Sequence, residues 1–415
     1  MKFSIPPALR HRRYLLLWLG LLISIAGSQM QISALFWHIR ILTGEPQPLA
    51  LGGIGLARIL PVIVFSFVGG PVADTLNRRR ILFVTQSAMA LVALALALLT
   101  FTGHITIWNI YLLTAIQAAA VAFDGPARQA MIPNIVPARD LPSAFSMSSI
   151  AMNAGSIIGP ALSGIVIVAL GQGYTYFFNA VSFLAVILAL VLIGPVRQDS
   201  RKSGIHLRAA VEGIRFILAK PIILSTMMMD FVATFFASAN TMMPIVAKDI
   251  LRVSEIGYGW LSSAQAIGSV AAGIIVSQVK QLRQQGPIFL IAVITFGLAT
   301  VLFGASHAFT LAMLALILMG AADAVSTIIR NTIRQLNTPD HIRGRMTSVN
   351  QIFFQGGPQL GEVESGIVAS LFGVPAAIIS GGIGCVLGTV LIVLKWPQLR
   401  SYDGAEHLQV EATAN

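Results

Sequence analysis

The sequence predicts an all-α integral membrane protein: twelve transmembrane helices in two pseudo-symmetric six-helix bundles. Three observations predict it. Of 415 residues, 56% are apolar and only 10% are Asp, Glu, Lys or Arg, whereas soluble domains carry about 25% charged residues. Twelve windows are apolar over the length that a bilayer crossing needs, about 20 residues each. The positive charges gather on one side of those windows. A chain so poor in polar side chains cannot clothe a water-soluble core, which excludes soluble enzymes, DNA-binding proteins and secreted disulfide scaffolds. The single Cys385 allows neither an internal disulfide nor a thiolate metal cluster.

In chain order the windows are 14–41, 50–70, 81–102, 107–130, 143–170 and 173–195, then 221–246, 256–279, 287–304, 308–331, 344–372 and 376–396. The first begins like a secretory signal, with a basic start and an apolar run. The apolar pattern continues through Met30 to Phe36, so it is read as a span. Connections are short except for 196–220. Within it Arg208, Glu212 and Arg215 share a helical face, with Val211, Ile214, Ile217 and Leu218 away from it, which predicts an interfacial helix over 205–219. The expected organisation is a bundle over 1–195, this linker over 196–220, a second bundle over 221–396 and a polar, disordered tail over 397–415.

Twelve spans place both termini on one side. If that side is the cytoplasm, 23 of the 27 Lys and Arg residues lie at the cytoplasmic face; only Arg40, Lys248 and Arg252 lie outside, and Arg58 sits within a span. The asymmetry follows the positive-inside rule. The net charge of +11 is therefore a topology signal and not a nucleic-acid footprint. The expected location is the inner (cytoplasmic) membrane.

The two halves echo each other. Asp124, Pro137, Asp140, Phe145 and Gly155 find counterparts in Asp323, Pro339, Asp340, Met346 and Gly356, about 200 residues on. Duplicated six-helix halves are a transporter architecture with a substrate site near the midplane. Between spans two and three stands Gly70-x3-Asp74-x2-Asn77-Arg78-Arg79, a Gly-x3-Asp-x2-Asn-Arg-Arg pattern. The fifth span holds Gly155, Gly159, Pro160 and Gly164, small residues that let helices pack backbone to backbone.

Both patterns resemble those of the major facilitator superfamily. Stretches over 57–74, 122–137, 159–164, 177–187 and 229–251 look like its branch of enterobactin exporters and multidrug efflux permeases. The resemblance implies the major facilitator fold and a monomer. It implies that spans one, four, seven and ten line the cavity, and that Asp74 and Arg78 form a charge relay with Asp124 that latches the outward-facing state. Thr75 and Leu76 replace an acid–base pair usual in that loop, Ser163 replaces a usual glycine, and the matching loop of the second half lacks the acid. An acid often seen in the first span is missing, as is an arginine often seen in the middle of the fourth.

Charges inside a bilayer are costly and mark functional sites by default. Thr226, Asp230, Thr234 and Thr241 share one face of the seventh span, which suits a carboxyl that binds and releases a proton; a structural pairing with an arginine is the competing reading. Arg58 is a second coupling candidate, a partner for an acid or for an anionic substrate. In the eleventh span Gln351, Gln355 and Glu362 share an arc, making Glu362 a third candidate, with an outer-gate role competing. Gln31, Gln117, Thr234, Gln351 and Gln355 are candidates for the substrate cavity. Asp323 and Arg330 are read, with Gly70, Asp74, Arg78 and Asp124, as a cytoplasmic gate.

No Gly-x4-Gly-Lys-Ser/Thr loop, His-Glu-x2-His pair or Gly-x-Ser-x-Gly elbow occurs, so ATP hydrolysis, zinc and hydrolase chemistry find no support. The expected function is export of a small organic molecule, a drug-like compound or siderophore, by proton antiport and alternating access. The partners are lipid, substrate and protons, without nucleic acid, metal or cofactor, the proton gradient being the energy source. Uptake by symport or facilitated diffusion is the alternative, and a non-transporting membrane partner or sensor the alternative of another class.

Overall fold

The computed structural model describes residues 6–196, 207–279 and 283–404; for 66–75, 207–211, 213, 239, 340, 341, 343–345, 347, 348, 351, 352 and 355 it describes the backbone alone. Almost everything described is helical, the arrangement in which an apolar chain satisfies its own backbone groups within hydrocarbon. The first series is α1 Arg12–Leu42, α2 Pro48–Thr75, α3 Arg78–Phe101, α4 Ile107–Ile135, α5 Leu141–Leu170 and α6 Gln172–Ile193. α7 Leu207–Ala219 occupies the link. The second series is α8 Pro221–Phe236 with the short turn α9 Met243–Ile245, then α10 Glu255–Ser277, α11 Gln285–Gly304, α12 Phe309–Leu336, α13 Asp340–Phe372 and α14 Val374–Lys395; α15 Gln398–Ser401 follows.

Among the described residues, 11 helical stretches are long and apolar enough to cross a membrane. α13, with 33 residues, completes the set of long helices and is more polar, burying Gln359, Glu362 and Ser365. Val84, Leu91, Leu314 and Leu391 are each more than 60% exposed, an arrangement that suits hydrocarbon as the surrounding solvent.

The packing order repeats between the series. α1 packs on α5 and α6, while α3 packs on α4 and α6. In the same way α8 packs on α13 and α14, while α11 packs on α12 and α14. Each series has its own core: Tyr14, Leu17, Leu82, Met131 and Leu190 in the first, Met229, Phe289, Ile329 and Cys385 in the second. The sharp turns that join α5 to α6 and α13 to α14 fall at Gly171 (φ 95°) and Gly373 (φ 87°), backbone that a Cβ would strain. By compactness the chain divides into Met1–Pro46, Leu56–Ile205 and Val253–Ser263 on one hand, and Gln47–Gly55, His206–Arg252 and Ala264–Asn415 on the other.

Two expectations need correction. The seventh span was expected to run unbroken over 221–246, but the α-helix stops at Phe236 and continues as a 3-10 turn Ala239–Met242, α9 and a π turn Val246–Ile250. Pro244 has no N–H to donate to the preceding turn, so the ladder cannot continue through it. The glycine faces of α13 and α14 meet the end of α8 closely: a Cβ on Gly361 would strike Phe235 O, and one on Gly381 would strike Phe236 O.

The tail was expected to be disordered from 397, yet residues 397–404 are built into the second core. Leu399 and Tyr402 are buried. The Tyr402 carbonyl accepts from Gly286 N at 2.8 Å, its hydroxyl accepts from Asn337 Nδ2 at 3.1 Å, and Asp403 Oδ1 accepts from Gln284 N at 2.7 Å. The bonds from Gly286 N and Gln284 N satisfy donors at the start of α11 that the helix itself leaves open. In the link, the helix spans Leu207–Ala219 and buries Ile217 among Ile223, Met227, Met346 and Val349.

Replacing Tyr402 by Ala is expected to destabilise the folded protein by about 3 kcal/mol, the cost of emptying a buried aromatic site. Denaturant unfolding of the detergent-purified protein measures it; a loose tail predicts no change.

Candidate functional site

Each series carries one buried polar cluster on its first and fourth long helices. In the second, Asp230 of α8 and Arg330 of α12 form an ion pair at 2.5 Å, with both side chains almost wholly removed from water (2% and 3% exposed). Arg330 Nη2 also lies 3.9 Å from Asp323 Oδ1, one helical face along α12, where the carboxylate is 45% exposed. One guanidinium thus faces a buried and an open carboxylate. Arg334, a turn further on, bonds Asn331 Oδ1 at 2.9 Å, the Arg330 carbonyl at 3.1 Å and the Asn350 side chain. Thr234, expected as a cavity group, donates to the Asp230 carbonyl at 2.8 Å, and Gly357 of α13 packs on its hydroxyl.

The arrangement joins what the sequence kept apart. Asp230 was expected as a lone coupling acid among hydroxyls and Arg330 as a gate residue beside Asp323; the three form one cluster. Asp230 follows about 14 Å after the start of α8 and Arg330 stands about 9 Å before the end of α12, at 1.5 Å per residue. The pair therefore stands partway along α8 and in the last quarter of α12.

In the first series the groups that join α1 to α4 and α6 are neutral. Gln31 Nε2 of α1 donates to Gln117 Oε1 of α4 at 2.5 Å, and Gln31 Oε1 accepts from Asn179 Nδ2 of α6 at 2.7 Å. Ser182 Oγ lies 2.9 Å from Asn179 Oδ1. Gln31 and Gln117, both expected at the cavity, are thus in direct contact. Asn179 was missed, although it is the one amide in the sixth window, 173–195. Nearer the end of α1, His38 Nδ1 and Tyr176 OH are 3.0 Å apart and buried.

The fifth-span glycines bring helices into backbone contact. A Cβ on Gly159 would lie 2.6 Å from Ala26 O and 2.9 Å from Met30 N of α1; one on Gly155 would lie 3.1 Å from Ala26 N. Gly164 meets Glu255 O of α10, and Pro160 O lies 2.7 Å from where a Cβ on Gly259 would be. Gly159 therefore fixes α1 close enough to α5 for the Gln31 register to be set by backbone contact.

Arg78 reaches α4, donating to Ala130 O at 2.9 Å and to Asn134 Oδ1 at 2.7 Å. Asp124 is buried and held elsewhere, by Thr85 Oγ1 at 3.0 Å, Gln86 Nε2 at 2.8 Å and Arg128 at 3.7 Å. Of the three members of the implied relay, Arg78 and Asp124 make these contacts, while the Asp74 side chain lies outside the described residues. The side chains of Gly70, Asp74, Gln351 and Gln355 lie outside the described residues. Glu362 is buried where α13 crosses the start of α2, its Cβ 2.8 Å from where a Cβ on Gly55 would be. Arg58 is half-buried on α2. Among the described residues no group of His, Cys, Asp and Glu could hold a metal ion.

Comparison with known proteins agrees with this architecture. The model of the family described as transmembrane secretion effector matches residues 4–413. The chain is 26% identical over 402 residues to the multidrug efflux pump Tap of Mycolicibacterium fortuitum, covering 94% of this chain and 97% of that protein. It is 22% identical over 341 residues to the enterobactin exporter EntS of Escherichia coli O81 (strain ED1a), covering 82% of each. A bacterial homolog of the human lysosomal transporter Spinster, solved in an inward-facing and unoccupied conformation, shares the fold with a TM-score of 0.68 at 16% identity, covering 96% of this chain and 97% of that one.

Breaking a buried pair from one side strands a charge, which costs about 3–5 kcal/mol. Arg330→Met is expected to destabilise the protein by that amount. Asp230→Asn should cost less, because Asp323 still faces Arg330. The double variant Asp230→Leu/Arg330→Met should recover most of the loss. A double-mutant cycle read by unfolding in detergent checks the order of the three.

Proposed function

The chain belongs to the transmembrane secretion effector family, a branch of the major facilitator superfamily of multi-pass membrane transporters; we propose that it exports a small organic molecule, a drug-like compound or siderophore, in exchange for protons. The observation that carries the reading is the buried Asp230–Arg330 contact with Asp323 as a second, more open partner for the same guanidinium. In this cycle a proton on Asp230 releases Arg330, which turns to Asp323, and loss of the proton restores the inner pair. α8 and α12 thereby gain two arrangements that differ by one proton. Substrate that binds one arrangement better than the other shifts the balance between them, as coupling requires.

The protein stands in the inner membrane as a monomer with both termini in the cytoplasm, so that its basic connections face the cytoplasm. Energy comes from the proton gradient. The efflux pump and the siderophore exporter among the relatives support the outward direction, and the close α5–α1 glycine packing agrees with exporter-like fifth-span patterns.

Everted membrane vesicles test the reading. They are energised and loaded with labelled members of a panel of lipophilic cations, macrolides, amphenicols and catecholate siderophores. The wild type is expected to accumulate at least one compound and to lose that accumulation when a protonophore is added. Asp230→Asn is expected to keep substrate binding and lose uphill transport by tenfold or more. Uphill transport that Asp230→Asn leaves undiminished removes Asp230 from coupling; movement only in the opposite direction in intact cells makes the protein an uptake system.

A further inference from the structure

We infer that Gln117 Nε2 is a substrate-binding donor and that Asn179, which has no role in the cluster around Asp230, sets its polarity from a distance: the exported molecule presents an oxygen acceptor to this amide. The inference rests on the exporter reading and names the substrate chemistry of the first series.

The argument follows the hydrogen bonds in one direction. Ser182 Oγ has one proton and two acceptors in reach, the Asn179 backbone carbonyl at 2.8 Å and Asn179 Oδ1 at 2.9 Å, and the Asn179 amide nitrogen donates to Gln31 Oε1 at 2.7 Å. Gln31 turns its oxygen to α6 and its nitrogen to α4, where it donates to Gln117 Oε1. Every carboxamide in the chain is thus oriented head to tail. At the end Gln117 has used its oxygen, and among the described residues its Nε2 has no partner. Its side chain is half-buried, whereas Gln31 and Asn179 are 1% and 0% exposed. The exposed end of a buried relay is therefore a donor.

The relay is also held rigidly. A Cβ on Gly27 would lie 2.7 Å from Asn179 Oδ1 and would strike the Ser182 hydroxyl, so α1 and α6 approach too closely for either group to turn away. Gln117 lies about 15 Å along α4 from its start and Gln31 about 17 Å before the end of α1, at 1.5 Å per residue, roughly halfway through the span. At that depth an unpaired amide donor loses its bond to water, so it favours a ligand oxygen that replaces it. A carbonyl, nitro or catecholate oxygen meets the requirement; a lipophilic cation without acceptors does not.

The polarity gives a test that a merely structural network fails. In Asn179→Asp the carboxylate can only accept, so Gln31 must turn its nitrogen to it and its oxygen to Gln117. Gln117 then turns its nitrogen inward and exposes its oxygen. A substitution on α6 that touches no substrate thus converts the exposed donor into an acceptor, as Gln117→Glu does directly.

Binding of two probes to the purified full chain is measured: chloramphenicol, which carries carbonyl and nitro acceptors, and tetraphenylphosphonium, which carries none. Thermal unfolding confirms that each variant is folded. In Gln117→Met, chloramphenicol is expected to bind about tenfold more weakly with tetraphenylphosphonium within twofold of wild type. Gln117→Glu and Asn179→Asp are both expected to lower the ratio of chloramphenicol to tetraphenylphosphonium affinity by about tenfold or more. A Gln117→Met variant that binds chloramphenicol within twofold of wild type overturns the inference, and so does a folded Asn179→Asp variant with unchanged selectivity. If Asn179→Asp fails to fold, the two Gln117 variants decide. A wild type that exports tetraphenylphosphonium but binds no acceptor-bearing probe overturns the inference and leaves the exporter reading standing; a wild type that moves no compound of the vesicle panel overturns the exporter reading itself.

Discussion

A guanidinium and a carboxylate withdrawn from water each cost several kcal/mol, and only their mutual contact offsets that cost. In the second series this constraint falls on Arg330 and Asp230, which meet at 2.5 Å with almost no access to solvent. α8 and α12 cannot part while both groups are charged without stranding one of them. Protonation of Asp230 removes the constraint by removing a charge, and Asp323 at 3.9 Å gives Arg330 somewhere to go. Arg334 is fixed by Asn331, Asn350 and the Arg330 carbonyl, so it braces the helix that carries Arg330.

The two series use equivalent helices for different chemistry. First and fourth long helices meet through Gln31 and Gln117 in one and through Asp230 and Arg330 in the other. An amide relay holds its geometry at any proton concentration, while an ion pair responds to a proton. On the proposed reading, recognition falls to the first series and energy coupling to the second. Backbone contacts at Gly155 and Gly159 serve the former, since a side chain there would push α1 off α5 and move Gln31 with it.

Much of the fold was legible in the sequence because lipid imposes a simple rule: long apolar windows and basic connections leave little freedom. The polar stripe of α8 and the amides at 31 and 117 were legible for the same reason, since each stands out in an apolar span. Pairing was not. Arg330 was grouped with Asp323 because seven residues on one helix place them on one face, whereas its closer partner is 100 residues away in the chain. The break in α8 was visible as Pro244 but was outweighed by the apolar window around it. Leu399 and Tyr402 are two apolar groups in a polar tail, and composition averaged them away. Asn179 was passed over because one amide does not disturb the hydropathy of a span, yet burial makes its bond to Gln31 decisive.

The central claim is that Asp230 carries the proton that substrate displaces. Its most direct test is proton release on substrate addition, followed by a pH indicator in weakly buffered detergent solution with purified protein and a compound from the vesicle panel that binds it. The account predicts release of about one proton per bound substrate by the wild type and none by Asp230→Asn at equal occupancy. The same release from Asp230→Asn would contradict it.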